Sequence, residues 1–70
     1  MFFRRIQDLR QDHDLTQKQV AQQLGCNLNV YWRYEKGYRD IPLWALIHLS
    51  KMFHVSTDYI LGMTDDRAPG

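Results

Sequence analysis

Apolar residues recur along the chain with a helical period, and nowhere with the strict alternation of a strand. Phe2, Ile6 and Leu9 stand at i, i+4 and i+7, one stripe of a first helix that fades in Gln11-Asp12-His13-Asp14. Thr16 then offers an N-cap with Gln19 as its reciprocal capping-box partner, and Val20, Ala21 and Leu24 form the apolar side of a second helix. Gly25 sits where a left-handed C-cap ends that helix. Asn27 caps a third helix from about Leu28 to Glu35, with Gly37 just past its end. Helical geometry puts Val30, Tyr31 and Tyr34 on one side of it and Leu28, Asn29, Trp32 and Arg33 on the other.

Tyr38-Arg39-Asp40 reads as a turn, and Pro42 suits the first turn of a fourth helix. Leu43, Leu46, Leu49, Ser50 and Phe53 are the expected buried stripe of that helix. Val55 and a capping Ser56 lead into a short fifth helix through Tyr59, Ile60 and Leu61, stopped by Gly62. The expected architecture is all-α: one compact five-helix domain over residues 1–63, then a polar, Pro/Gly-ended tail over 64–70 that is expected to be flexible.

Composition narrows the class. Seventy residues support one small core, and apolar content is ordinary for a globular chain. Cys26 is the single cysteine, so no internal disulfide forms, which fits a reducing, cytoplasmic setting. No apolar run approaches the roughly 20 residues of a membrane span. Met1-Phe2-Phe3-Arg4-Arg5 puts apolar residues before charges, the reverse of a signal peptide. A soluble protein without a membrane partner is expected.

The net charge of +1 hides an asymmetry. Arg4, Arg5 and Arg10 are balanced by Asp8, Asp12 and Asp14, whereas between residues 16 and 39 Lys18, Arg33, Lys36 and Arg39 face only Glu35. A central concentration of positive charge suits a phosphate-facing surface, and equally a solvated helix face. Catalysis has no support. His13, His48 and His54 fit no metal-ligand spacing, Cys26 has no evident base, and there is no strand from which a glycine-rich phosphate loop could spring. No enzyme activity, metal, cofactor or small-molecule ligand is expected.

Two short helices separated by Gly25-Cys26-Asn27 form a candidate helix-turn-helix, whose first helix crosses the DNA backbone and whose second enters the major groove. The pattern alone is weak, but the longer strings are specific. Leu15-Thr16-Gln17-Lys18-Gln19-Val20-Ala21-Gln22-Gln23-Leu24-Gly25, then Arg33-Tyr34-Glu35-Lys36-Gly37-Tyr38-Arg39, then Val55-Ser56-Thr57-Asp58-Tyr59-Ile60-Leu61-Gly62 stand in the chain in that order. Together, from roughly Arg5 to Gly62, they resemble the phage-repressor (Cro-like, Xre-type) helix-turn-helix transcriptional regulators, with a lambda-repressor-like fold.

That resemblance implies roles. Gln17 matches a glutamine that touches phosphate and braces the recognition helix, with Lys18 beside it. Leu28, Asn29 and Arg33 match positions that read base edges, with Trp32 next to them, and Lys36, Gly37 and Arg39 match the loop that grips the backbone. Arg10 and Glu35 match an internal ion pair between the first and third helices. This chain departs from the family in carrying Leu28, Val30 and Trp32 where polar or basic readers are common. Arg33 suits guanine and Asn29 adenine, while Leu28 offers only an apolar contact to a thymine methyl.

The resemblance also implies double-stranded operator DNA as partner, and a two-fold homodimer that represses by occlusion. Trp44 and Ile47 lie on the face of the fourth helix away from its core stripe and are the candidate dimer contacts. The competing reading is a protein-interaction module, an antitoxin or adaptor, whose DNA contacts are secondary.

Overall fold

A computed structural model describes residues 1–68; Pro69 and Gly70, part of the expected tail, lie outside the described residues. Its elements are α1 (Arg4–Asp12), α2 (Gln17–Leu24), α3 (Leu28–Lys36), α4 (Leu43–Phe53) and α5 (Thr57–Ile60). Among the described residues there is no strand. The all-α, five-helix expectation therefore holds.

Local chemistry sets the helix ends. The Thr16 hydroxyl accepts from the Gln19 N–H while the Gln19 side chain accepts from the Thr16 N–H, which closes the capping box. Asn27 and Ser56 cap α3 and α5 in the same sense, accepting from the Val30 and Tyr59 N–H groups. Gly25 and Gly37 end α2 and α3 at φ 77° and 80°. After each glycine the chain turns back in a Schellman pattern. Cys26 N–H donates to the Ala21 carbonyl at 3.1 Å, and Tyr38 N–H to the Arg33 carbonyl at 2.9 Å.

The core is one cluster drawn from every helix. Ile6 and Leu9 of α1, Val20, Ala21 and Leu24 of α2, Tyr31 of α3, Leu46, Leu49 and Phe53 of α4, Val55, and Ile60 of α5 are all buried. Phe3, Leu15, Cys26 and Ile41 pack around its edge.

Two positions of the expected stripes lie elsewhere. Phe2 is exposed, because α1 starts only at Arg4 and helical spacing does not reach back to residue 2. Phe2 instead lays its backbone and Cβ against Gly37. Leu43 is 70% exposed, and Ala45, which the stripe did not include, is fully buried. Pro42 is the N-cap of α4, so Leu43 occupies the solvent side of the first turn.

The segment after α5 is irregular but in contact with the domain. The Arg5 guanidinium lies 4.2 Å over the Tyr59 ring and donates to the Tyr59 and Thr64 carbonyls and to Asp65. Arg67 donates to the Tyr59 hydroxyl and to Asp12 from the same side.

Candidate nucleic-acid interface

The α2–α3 unit is held from behind by a buried polar cluster. Arg10 of α1 grips Glu35 of α3 with two hydrogen bonds, Nε to Oε2 at 2.9 Å and Nη2 to Oε1 at 3.0 Å. A third Arg10 donor reaches the Leu15 carbonyl at 2.8 Å, and Gln17 Nε2 of α2 donates to Glu35 Oε1 at 3.2 Å. One carboxylate thus ties α1, α2 and α3 together. The Tyr31 hydroxyl faces the same cluster, buried, without closing a hydrogen bond.

The electrostatics follow from this packing. Burial alone would push the Glu35 carboxyl up. Burial is the largest single influence, but the Arg10 hydrogen bonds and charge, with the neighbouring Tyr31 and Gln17, together outweigh it and hold the carboxyl below the usual carboxylate range. The hydrogen bond to Glu35 in turn raises Arg10. Burial, then the adjacent carboxylate, lifts the Tyr31 phenol well above its ordinary range. Glu35 has no exposed side-chain surface and Arg10 12%, so the pair is structural.

The opposite side of α3 faces solvent. Leu28, Asn29, Trp32 and Arg33 are all exposed there, one turn apart in pairs, while Tyr31 and Tyr34 are buried. Lys36 ends the helix, exposed, and Arg39 follows beyond Gly37. Lys18 is exposed in the first turn of α2. Gln17 is half-buried with its amide nitrogen turned inward to Glu35; its backbone N–H stands at the start of α2, where no intrahelical partner exists. Asn29, Arg33 and Lys36 thus share one exposed face of α3, backed by the Arg10–Glu35 pair, and exposed Arg39 follows beyond Gly37.

Tyr38, in the turn after α3, joins this face. Its ring packs on Trp32 with centroids 5.3 Å apart and planes inclined at 34°. The signal was present in the sequence. A glycine-ended helix commonly brings the residue after the glycine onto the last full turn, and here those residues are Tyr38 and Trp32. Cys26, by contrast, is half-buried against the core, and burial raises its thiol, so little thiolate exists near neutral pH.

Trp44 and Ile47 do not adjoin α3's outer face. Both are exposed on α4, along a shallow groove lined by Gln23, Trp44, Ile47, His48, Lys51 and Met52. Among the described residues no helix is long and apolar enough to cross a membrane, and no group of side chains is disposed to hold a metal ion.

Comparison with known proteins gives the class. A helix-turn-helix family model matches residues 6–60, which takes in all of α2, α3 and α4. The chain belongs to the helix-turn-helix family. It is similar to the "Uncharacterized HTH-type transcriptional regulator YobD" of Bacillus subtilis (strain 168), 41% identical over 99% of this chain and 62% of the relative. It also resembles the HTH-type transcriptional regulator ImmR of the same organism, 41% identical over 84% of this chain and 46% of the relative. A third relative, the cryptic phage CTXphi transcriptional repressor RstR of Vibrio cholerae, is 40% identical over 79% of this chain and 50% of its own length. The chain therefore spans between about half and three-fifths of these relatives. No solved structure matches it at comparable stringency.

Proposed function

We propose that this chain recognises operator DNA as a two-fold dimer and represses transcription by occlusion, with α3 in the major groove. One observation carries the reading: Asn29 and Arg33 stand one turn apart on the exposed side of α3, and Lys36 and Arg39 flank its end. In this reading Arg33 pairs bidentately with guanine O6 and N7, and Asn29 with adenine N6 and N7. Leu28 and Trp32 lie against the same base edges. The α2 N-terminus, with Gln17 and Lys18, and the loop of Lys36, Gly37 and Arg39 hold phosphates on either side. Glu35 fixes the angle between α2 and α3, so the readers arrive already placed.

Two copies would bind half-sites about one helical turn apart. Trp44 and Ile47 supply the contact between copies, since two large apolar side chains lie exposed together on α4. The printed names of the relatives, transcriptional regulators and a phage repressor, support regulation as the outcome. A second reading, a protein-interaction module, draws on the exposed Leu28, Trp32 and Tyr38.

Selection of bound sequences from a random duplex library separates the two. A two-fold symmetric site, bound with affinity that falls steeply as salt rises, is the expected result. Enrichment of nothing, with weak binding indifferent to salt, would refute the operator reading and turn the search to a protein partner.

A further inference from the structure

The outward side of α3 divides into two parallel ridges. Asn29 and Arg33, one turn apart, form a polar ridge; Leu28 and Trp32, also one turn apart, form an apolar one with 44% and 39% of their surfaces exposed. Tyr38 extends the apolar ridge past the helix end. Its place is fixed by backbone: Gly37 turns left-handed, Tyr38 N–H closes on the Arg33 carbonyl, and the ring comes to rest on Trp32. Gly37 itself is pinned, because a Cβ there would stand 2.8 Å from the Phe2 Cβ. The Tyr38 ring lies beside the Trp32 indole, which keeps part of its surface exposed for contact.

The charge around this ridge indicates what covers it. Arg33, Lys36 and Arg39 border it. The single acid between Thr16 and Arg39 is Glu35, which is buried and spent on Arg10. An apolar strip bordered by unpaired cations matches a surface that is polyanionic overall yet apolar in spots. In the major groove the apolar spots are the 5-methyl groups of thymine.

We infer that the Leu28–Trp32 ridge, with Tyr38 as the positioning residue of Trp32, selects DNA by its thymine methyl groups. The inference rests on the DNA-binding reading above and adds to it the base and the atom that set specificity. Leu28 and Trp32 are four residues apart, about 6 Å along the helix, against a step of about 3.4 Å between bases. The selected half-site therefore holds thymines roughly two steps apart, next to the bases read by Asn29 and Arg33. Few hydrogen bonds are needed for such a site.

The test is a methyl scan. In the duplex recovered by selection, each thymine is replaced singly by deoxyuridine, which removes the methyl and leaves the pairing edge intact. Binding is read by fluorescence anisotropy at fixed salt. Loss of about fourfold in Kd at one or two thymines per half-site is expected, the equivalent of one methyl-sized group returned to water. The losses should disappear in Leu28→Ala or Trp32→Ala and persist in Asn29→Ala, with far-UV circular dichroism confirming that each variant folds. Tyr38→Ala should shrink the Trp32-dependent loss, and Tyr38→Phe should restore it. Deoxyuridine duplexes that all bind like the parent overturn the inference while salt-dependent DNA binding stands. Losses that survive in both Leu28→Ala and Trp32→Ala overturn it equally, because the DNA shape would then be what is read. Absence of any DNA binding defeats the underlying reading as well, and leaves the ridge to a protein partner.

Discussion

Replacing Arg10 by alanine should be among the most damaging single changes in this chain. The carboxylate it serves has no exposed surface, and after the change Glu35 keeps one hydrogen bond, from Gln17 at 3.2 Å. Breaking a buried pair from one side costs about 3–5 kcal/mol, because an uncompensated charge is left behind. A 70-residue domain has a total stability of about 3.5–10 kcal/mol, so the loss takes roughly 30% of it or more. Glu35→Gln should cost less, since the amide keeps the shape and its oxygen still accepts from Arg10. Urea unfolding followed by far-UV circular dichroism measures both.

The pH dependence gives a sharper reading. In the parent chain the folded-state pKa of Glu35 is depressed. Its stabilisation is complete above the unfolded value of about 4.3 and is lost as pH falls through the lower folded value. In Arg10→Ala, burial without a partner raises the folded pKa instead. The penalty then grows as pH rises from about 4.3 through that raised value, and is relieved in acid. The stability gap between the two chains should be widest at neutral pH and should narrow as pH falls. A loss under about 1 kcal/mol at neutral pH, or a gap that does not change with pH, would refute the claim that Glu35 is sealed from water.

Other expectations follow from the same geometry. Gly37→Ala should destabilise more than Gly25→Ala: both glycines have positive φ, but a Cβ at 37 meets Phe2 while one at 25 meets open space. Comparing their urea midpoints tests the order, and equal midpoints would exclude the Phe2 contact. Cys26 should react with a thiol reagent at neutral pH more slowly than free cysteine and speed up in urea, because burial raises its thiol in the folded state. Trp44→Ala combined with Ile47→Ala should shift sedimentation from dimer toward monomer and weaken a two-half-site duplex more than a single half-site. An unchanged mass would remove α4 as the dimer contact.

The helix-turn-helix was legible because its ends are written in local chemistry. Thr16 with Gln19, Gly25, Asn27 and Gly37 each do one job that few residues do, and each lies where it was expected. Helix α4 was harder. Leu43-Trp44-Ala45-Leu46-Ile47 is apolar on every side, so periodicity alone does not choose the buried face. Packing against α2 and α5 chose Ala45, Leu46 and Leu49 and left Leu43 outside. Phe2 differs for another reason: α1 starts at Arg4, so helical spacing does not extend back to residue 2. The Arg10–Glu35 pair came from family resemblance; composition and spacing did not single it out. Its full partner set, with Gln17 and the Leu15 carbonyl, needed three-dimensional contacts. The Trp32–Tyr38 stack depends on the left-handed turn at Gly37.

The most direct measurement of the central claim is an anisotropy titration of the parent chain and Arg33→Ala on the selected duplex and on a scrambled one, across a range of salt. The account predicts steep salt dependence on both duplexes, with a log–log slope of about −0.9 for each phosphate contacted. It also predicts that Arg33→Ala weakens the selected duplex by about 1–3 kcal/mol and leaves the scrambled one nearly unchanged, as removal of a base contact should. Equal weakening on both duplexes would demote Arg33 to a phosphate contact. Binding that ignores both salt and sequence would contradict DNA recognition by α3 altogether.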